Sequence, residues 1–179
     1  PLDTKSMHAM VVHIEDRYAI LLGRDAGFPA PLAFTLAHEL GHIAHGHLEG
    51  APALVDLDQS QGLDEADPQE VEADQFALSI LTGSPDPKFT TNVDDFSSGM
   101  LAKAVVEAGQ SYRIEPGTLA LCLGYQRKQW REAMGALRHI YGDPKPIHEE
   151  INDIAINQLD LEALGEGSVD YLRRILGLQ

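Results

Sequence analysis

The sequence has few cysteines and no long apolar run. Its single cysteine, Cys122, excludes an internal disulfide framework and is typical of a protein from a reducing compartment, so we expect a cytoplasmic location. A membrane-spanning helix needs about 20 consecutive, mainly apolar residues, and no such run occurs. No basic segment followed by an apolar segment lies near the start, so we expect no secretory signal. These absences predict a protein that does not insert into a membrane.

Basic residues are also scarce. The chain has 13 Lys and Arg against 28 Asp and Glu, a net charge of -15. Binding to phosphates depends on clustered Lys and Arg, so we expect no direct nucleic-acid binding over a broad face. Eight carboxylates and no Lys or Arg lie between residues 56 and 74. We interpret most of these acids as part of a solvated loop and expect one or two of them to have a function.

The order of the secondary-structure signals predicts an α+β fold. Two β-rich runs, near 8–14 and 17–23, predict an antiparallel hairpin. Proline, glycine and capping residues predict a loop over 48–67 and helices near 31–45, 68–82, 97–108, 115–123, 126–141, 147–163 and 168–176. Asp67 and Pro68 mark the start of the second of these helices, and Gly109 marks the end of the third. We expect the small sheet to pack on the first helix. We divide the chain into a catalytic core, residues 1–95, and a helical region, residues 96–179, that packs on it as one continuous domain.

The first helix carries the sequence HELGH. Its two histidines, His38 and His42, are four residues apart and therefore lie one turn apart on one face. Two imidazoles at this spacing bind one Zn²⁺, and Glu39 is placed to accept a proton from an attacking water. The pattern predicts the first half of a catalytic zinc site.

Other residues of this helix have structural interpretations. We expect Leu36, Leu40 and Ile43, on the opposite side, to form the core-facing stripe. His45 lies about 10 Å along the helix axis from His38, too far to share one ion. We expect His45 to interact with the helix C-terminus, and contact with substrate is the second interpretation. His47 follows the expected helix end, where we expect it to be exposed and outside the site.

A third ligand is expected from the next helix, because a catalytic zinc site uses three protein ligands and keeps one open position. Glu70 shares its face with Asp74 and Ala77 and is flanked by Ala73, whereas Glu72 lies on the polar arc. The small side chains of Ala73 and Ala77 allow another helix to approach this face. We therefore expect Glu70 to bind the metal and Glu72 to be in solvent. Asp74 is placed to accept a hydrogen bond from a ligating imidazole. The alternative is that all three acids are exposed and stabilised by the helix N-terminus.

The two helical motifs together resemble a known family. HELGH at 38–42, followed by EVEADQFA at 70–77, is similar to the TLAHELGH and E-x-x-A-[N/D]-x-F-A helices of the ImmA/IrrE zinc metallopeptidases. The resemblance covers about 34–81, and its ExxAD part also resembles the third-ligand helix of thermolysin-like peptidases, which implies a minimal gluzincin core. The family often has Met-Pro or Leu-Pro after the second helix, where this chain has Leu81-Thr82-Gly83. It also often carries a helix-turn-helix domain, which we do not find.

The resemblance implies one Zn²⁺ per chain, with Glu70 as third ligand and Asp74 as its companion. Several members cleave a helix-turn-helix repressor and so switch on stress, DNA-damage or mobile-element genes. A similar protein is a zinc-dependent endopeptidase that cleaves one specific protein, such as a transcriptional repressor. The alternative is a regulatory or antitoxin-like module that binds a partner without cleaving it, although a pure binder has no need for Glu39.

Cys122 has two interpretations. Its surroundings, LALCLGY, are typical of a buried core thiol. A second hypothesis is that the Cys122 thiolate reaches the open position of the zinc and inhibits the enzyme.

Overall fold

The computed structural model describes residues 7–23, 26–49, 51, 53–57 and 67–176. The elements are β1 (Met7–Ile14), β2 (Arg17–Leu22), α1 (Pro29–Ala44), β3 (Ala53–Leu57), α2 (Pro68–Thr82), α3 (Ser98–Tyr112), α4 (Pro116–Arg127), α5 (Trp130–Tyr141), α6 (Ile147–Gln158), a 3₁₀ turn (Leu161–Ala163) and α7 (Glu166–Ile175). This order confirms the predicted α+β fold. Residues 58–66 of the predicted acidic loop lie outside the described residues.

The sheet has three antiparallel strands in the order β2-β1-β3. The predicted hairpin is confirmed, with β1 and β2 paired from Ala9 opposite Leu22 to Ile14 opposite Arg17. β3 pairs with the other edge of β1 and corrects the sequence prediction, which placed this segment in a loop. In a strand of five residues, the alternation of apolar and polar side chains is too short to distinguish the strand from a loop. The strand β3 is stabilised by its pairing with β1.

Several helix ends differ from the predicted ones. Gly109 was expected to end α3, but the helix continues to Tyr112 and ends at Arg113, which has a φ of 58°. A Cβ at position 109 would lie 2.8 Å from the carbonyl oxygen of Ile114. The glycine is therefore needed for close packing rather than for termination. The predicted helix over 147–163 ends at Gln158 and is followed by the 3₁₀ turn.

A hydrophobic core lies among α3, α4 and α5. Its buried side chains are Phe96, Leu101, Ala102, Val105, Ile114, Leu119, Ala120, Leu123, Ala133, Ala136 and Leu137. α1 packs against β1, β2, α2 and α4, so it lies between the sheet and the helical half. The division at residues 95 and 96 stays a prediction. In the described part of the chain, no helix is both long enough and apolar enough to cross a membrane.

The prediction that Leu36, Leu40 and Ile43 form the core-facing stripe of α1 is wrong. Leu36 and Leu40 are 39% and 41% exposed, and Ile43 is half-buried. The face that carries His38 and His42 is buried instead. A helical pattern shows which residues share a face but not which face meets a neighbour, and here α2 packs on the polar face.

Candidate metal centre

The two helices with the predicted ligands, α1 and α2, are in direct contact. A Cβ built at Gly41 would lie 2.9 Å from Ala73 Cα and 3.0 Å from the Ala73 carbonyl oxygen. Ala73 and Ala77 are fully buried. The small residues expected on this face of α2 therefore allow the two backbones to meet, which brings the first turn of α2 beside HELGH.

The start of α2 is fixed by the residues expected there. Asp67 caps the helix, and its carboxylate accepts a hydrogen bond from the Gln69 backbone N–H at 3.0 Å. Pro68 occupies the first turn of the helix. A backbone N–H in this turn has no helical carbonyl to bind, so a proline, which lacks the N–H, is tolerated there. The cap fixes the position of the turn that carries Glu70.

His38, His42 and Glu70 form one cluster. The Nε2 atoms of His38 and His42 are 3.0 Å apart. Glu70 Oε2 lies 3.2 Å from His38 Nε2, and Glu70 Oε1 lies 3.6 Å from His42 Nε2. Among the described residues, this is the group of His, Cys, Asp or Glu whose ligand atoms all lie within 4.8 Å of one another.

The spacing of these three side chains fits a metal ion. With zinc–ligand bonds of about 2.0–2.2 Å, neighbouring ligand atoms of a tetrahedron are about 3.3–3.6 Å apart. The two Nε2 atoms, 3.0 Å apart, lie close to this range, and each has a different Glu70 oxygen nearby, Oε2 at 3.2 Å from His38 and Oε1 at 3.6 Å from His42. One ligand atom from each of the three residues can be chosen so that all three lie within 4.8 Å of one another. Two imidazoles and one carboxylate are also a donor set that leaves a fourth position open in catalytic sites.

Asp74 lies one turn beyond Glu70 and contacts the cluster from outside. The Nδ1–H of His38 donates a hydrogen bond to Asp74 Oδ1 at 2.9 Å. When Nε2 is deprotonated to bind a metal ion, this bond selects the tautomer in which the His38 Nε2 lone pair faces the other ligands. Asp74 therefore occupies the position expected from the helical pattern.

The charges of the cluster favour a bound cation. Burial alone would lower the pKa of His38, but hydrogen bonds and charge from Asp74 and Glu70 raise that pKa to about 10. Burial and repulsion from His38 lower the pKa of His42. The hydrogen bond from His38 lowers the pKa of Glu70, although burial opposes it. The carboxylates of Glu70 and Asp74 thus stabilise a positive charge on His38. A divalent cation bound there would replace the His38 proton.

Glu39 is fully buried on α1. It follows His38 in the chain, so its side chain is rotated about 100° around the helix axis from that ligand. Its assignment as the catalytic base stays a prediction.

His45 and Cys122 are not part of the cluster in the described structure. His45 is exposed at the C-cap of α1, where its backbone N–H donates to the Gly41 carbonyl at 3.0 Å. Cys122 lies on α4, and burial raises the pKa of its thiol to about 11. A substrate contact for His45 and an inhibitory thiolate at Cys122 stay predictions.

The sequence interpretation missed His47 and Glu72. His47 was expected to be exposed, but its side chain is only 5% exposed and lies between His42 and Glu72. Glu72 is 55% exposed, as expected, yet its Oε2 is 3.0 Å from His47 Nε2. Gly46 was the sequence signal that could have predicted the position of His47, because a glycine that ends a helix turns the next residue back over the last helical turn.

Residues 26–123 match the family model described as Peptidase U49. The match begins before α1, continues through α2 and α3 into α4, and includes all three clustered side chains. No curated protein and no solved structure matches the chain. The match supports the peptidase class expected from the motifs, but it does not select the ImmA/IrrE family. Because the match covers more than half of the sequence, the chain belongs to the Peptidase U49 family.

Proposed function

We propose that this peptidase is a zinc-dependent endopeptidase whose metal ion is held by His38, His42 and Glu70. The proposal is carried by the convergence of two imidazole nitrogens and one carboxylate, with separations of 3.0–3.6 Å, in a chain of a peptidase family. When bound, zinc supplies a Lewis acid that polarises the scissile carbonyl and lowers the pKa of water.

Glu39 is the general base of this proposal. Its carboxylate accepts a proton from the attacking water and then donates that proton to the leaving amine. Asp74 keeps His38 in the tautomer whose Nε2 faces the cluster. The Glu70 side chain is 24% exposed, whereas His42 is fully buried.

The proposed substrate is one specific protein, such as a helix-turn-helix repressor. Its cleavage would derepress stress, mobile-element or defence genes. This part of the proposal is supported by the resemblance of segments 38–42 and 70–77 to the ImmA/IrrE helices. The metal ligands account for peptide hydrolysis but not for selectivity, so the helical region, residues 96–179, is assigned to substrate docking.

A substrate trap tests the proposal. The Glu39→Gln protein, loaded with zinc, is immobilised and exposed to a lysate of the native organism. The matched control carries Glu39→Gln together with His38→Ala, so that the surface is the same but a metal ligand is missing. Proteins retained by the trap and not by the control are identified by mass spectrometry and incubated with the wild-type enzyme.

The proposal expects a retained protein that the wild type cuts at a single site and the Glu39→Gln protein does not cut. If that protein is a DNA-binding repressor, the proposed substrate class is supported as well. A retained protein that the zinc-loaded wild type never cuts would contradict the endopeptidase and favour the non-cleaving binding module.

A further inference from the structure

A chain of hydrogen bonds leads from the buried ligand His42 to the surface of α2. The Nδ1 atoms of His42 and His47 are 2.9 Å apart. On its other side, His47 Nε2 is 3.0 Å from Glu72 Oε2. His42 is fully buried, whereas Glu72 is 55% exposed, so His47 connects the cluster to a carboxylate at the surface.

The backbone at the end of α1 holds His47 in this place. Gly46 has a φ of 73°, which suits a glycine immediately after a helix. The His47 N–H donates to the His42 carbonyl at 3.0 Å, and the Gly46 N–H donates to the Ile43 carbonyl at 3.2 Å. These two bonds form a Schellman motif, which turns the chain back over the last helical turn. His42 and His47 are thus joined through both their backbones and their rings.

Only one arrangement of protons satisfies the whole chain of contacts. If Nε2 of His42 offers its lone pair to a metal ion, the neutral imidazole carries its proton on Nδ1. His42 Nδ1–H then donates to His47 Nδ1, which must be the unprotonated nitrogen of that ring. His47 therefore carries its proton on Nε2 and donates it to the Glu72 carboxylate. The carboxylate at the end of the chain fixes the tautomer of both rings.

The surroundings of His47 leave its ring little freedom. Its centroid is 5.0 Å from that of His42, with the rings at 70°, and 5.6 Å from that of His45, with the rings at 21°. The side chain of His47 is 5% exposed. A ring held from two sides can keep the His42 imidazole at a fixed angle.

We propose that His47 and Glu72 are positioning residues for the metal ligand His42. The pair acts on His42 as Asp74 acts on His38, by accepting the Nδ1–H and so directing the Nε2 lone pair inward. This inference rests on the proposed metal site. In this proposal Glu72 acts on His42 only through His47. A general attraction between a surface carboxylate and a cation would instead act without His47.

The first test measures zinc affinity by competition with a chromophoric chelator. Loss of a hydrogen-bond partner of a ligand typically weakens metal binding by about 10- to 100-fold, which is the effect expected for His47→Ala. Glu72→Gln, a surface substitution, should weaken binding in the same direction by a smaller factor. The matched control is Glu107→Gln, which removes an exposed carboxylate from α3 and should leave the affinity unchanged. Unfolding curves of the metal-free variants show whether each of them still folds.

A double variant separates the chain of contacts from through-space electrostatics. Once His47 is alanine, Glu72→Gln should change the zinc affinity by less than about twofold, because substitutions within one hydrogen-bond network are not additive and Glu72 then has no ring through which to act on His42. An undiminished effect of Glu72→Gln in that background would show that Glu72 acts through space and would overturn its positioning role.

The NMR signals of the imidazole N–H protons in the zinc-loaded protein test the hydrogen bonds themselves. If His47 only stabilised the fold, its substitution would leave the His42 N–H signal unchanged. The wild type should show the His42 Nδ1–H and His47 Nε2–H protons as slowly exchanging signals. His47→Ala should remove both signals and keep the His38 Nδ1–H signal, because Asp74 is unchanged. Persistence of the His42 signal in His47→Ala would overturn the inference.

The outcomes distinguish this inference from the proposed function. If the wild type binds one zinc and His47→Ala binds it with equal affinity, the positioning role is wrong and the metal site stands. If the wild type binds no zinc while its fold is intact, both proposals fail.

Discussion

Gly41 of α1 lies against the backbone of Ala73 in α2. A Cβ at position 41 would be 2.9 Å from the Cα and 3.0 Å from the carbonyl oxygen of Ala73. Because these are backbone atoms, no side-chain rotation relieves such a contact. The glycine inside HELGH therefore sets the distance between the helix with the two histidines and the helix with Glu70.

Gly41→Ala should destabilise the protein and weaken zinc binding. Overpacking of a tight contact typically costs about 1–3 kcal/mol, and separation of α1 from α2 moves Glu70 away from His38 and His42. Denaturant unfolding of the metal-free protein and a zinc titration measure the two effects. The control is Gly99→Ala, where the nearest atom to the added Cβ, His139 Nε2, is 4.0 Å away. Wild-type zinc affinity in Gly41→Ala would contradict this role.

Glu39→Gln and Glu70→Gln should separate catalysis from metal binding. Glu39→Gln is expected to keep one zinc per chain and to lower turnover by roughly 10²- to 10⁴-fold, because the amide cannot accept the proton. Glu70→Gln is expected to lose zinc as well as turnover, because the neutral amide is a weaker ligand than a carboxylate. Metal analysis and a cleavage assay on the same preparations measure both. Loss of zinc from Glu39→Gln would contradict the assignment of the base.

Zinc binding should release a proton from His38. The pKa of His38 is raised from 6.5 to about 10, so the ring is protonated at neutral pH in the metal-free protein and must be deprotonated to bind zinc. The affinity for zinc should therefore increase with pH until that pKa is passed. Asp74→Asn removes a carboxylate that raises the pKa and should reduce the number of protons released.

Calorimetric titrations in buffers of different ionisation enthalpy count these protons. About one proton per zinc is expected for the wild type at neutral pH. Zero release by the wild type would contradict the protonated state of His38, and equal release by Asp74→Asn would contradict the role of Asp74.

The two hypotheses for Cys122 give opposite results. Burial raises the pKa of its thiol to about 11, so the thiol is neutral at physiological pH and a poor zinc ligand. Alkylation by iodoacetamide should be slow in the native protein and should accelerate as the pH approaches that pKa. Cys122→Ser should leave zinc content and cleavage unchanged. An increase in cleavage with an altered metal spectrum would instead support the inhibitory thiolate.

The cluster could be predicted from the sequence because its signals are local. The four-residue spacing of His38 and His42 and the cap at Asp67 fix geometry within single helices. Small residues at Ala73 and Ala77 then indicate which face of α2 meets its neighbour. The hairpin was predictable for the same reason, since both of its strands and their turn are adjacent in the chain.

The parts that the sequence did not predict depend on tertiary contacts. β3 is stabilised by its pairing with β1, which lies far away in the chain. Leu36 and Leu40 share a face, but the packing of α2 decides that this face is exposed. The position of His47 depends on the turn at Gly46, whose effect is visible only when the next side chain is placed over His42.

The central claim is that one zinc ion is held by HELGH and the first turn of α2. Anomalous diffraction on both sides of the zinc absorption edge, from crystals of catalytically active protein grown with zinc, tests this directly. We expect one anomalous peak, bonded to His38 Nε2, His42 Nε2 and the Glu70 carboxylate. A zinc peak elsewhere, or no peak at this position in protein that still cleaves its substrate, would contradict the account.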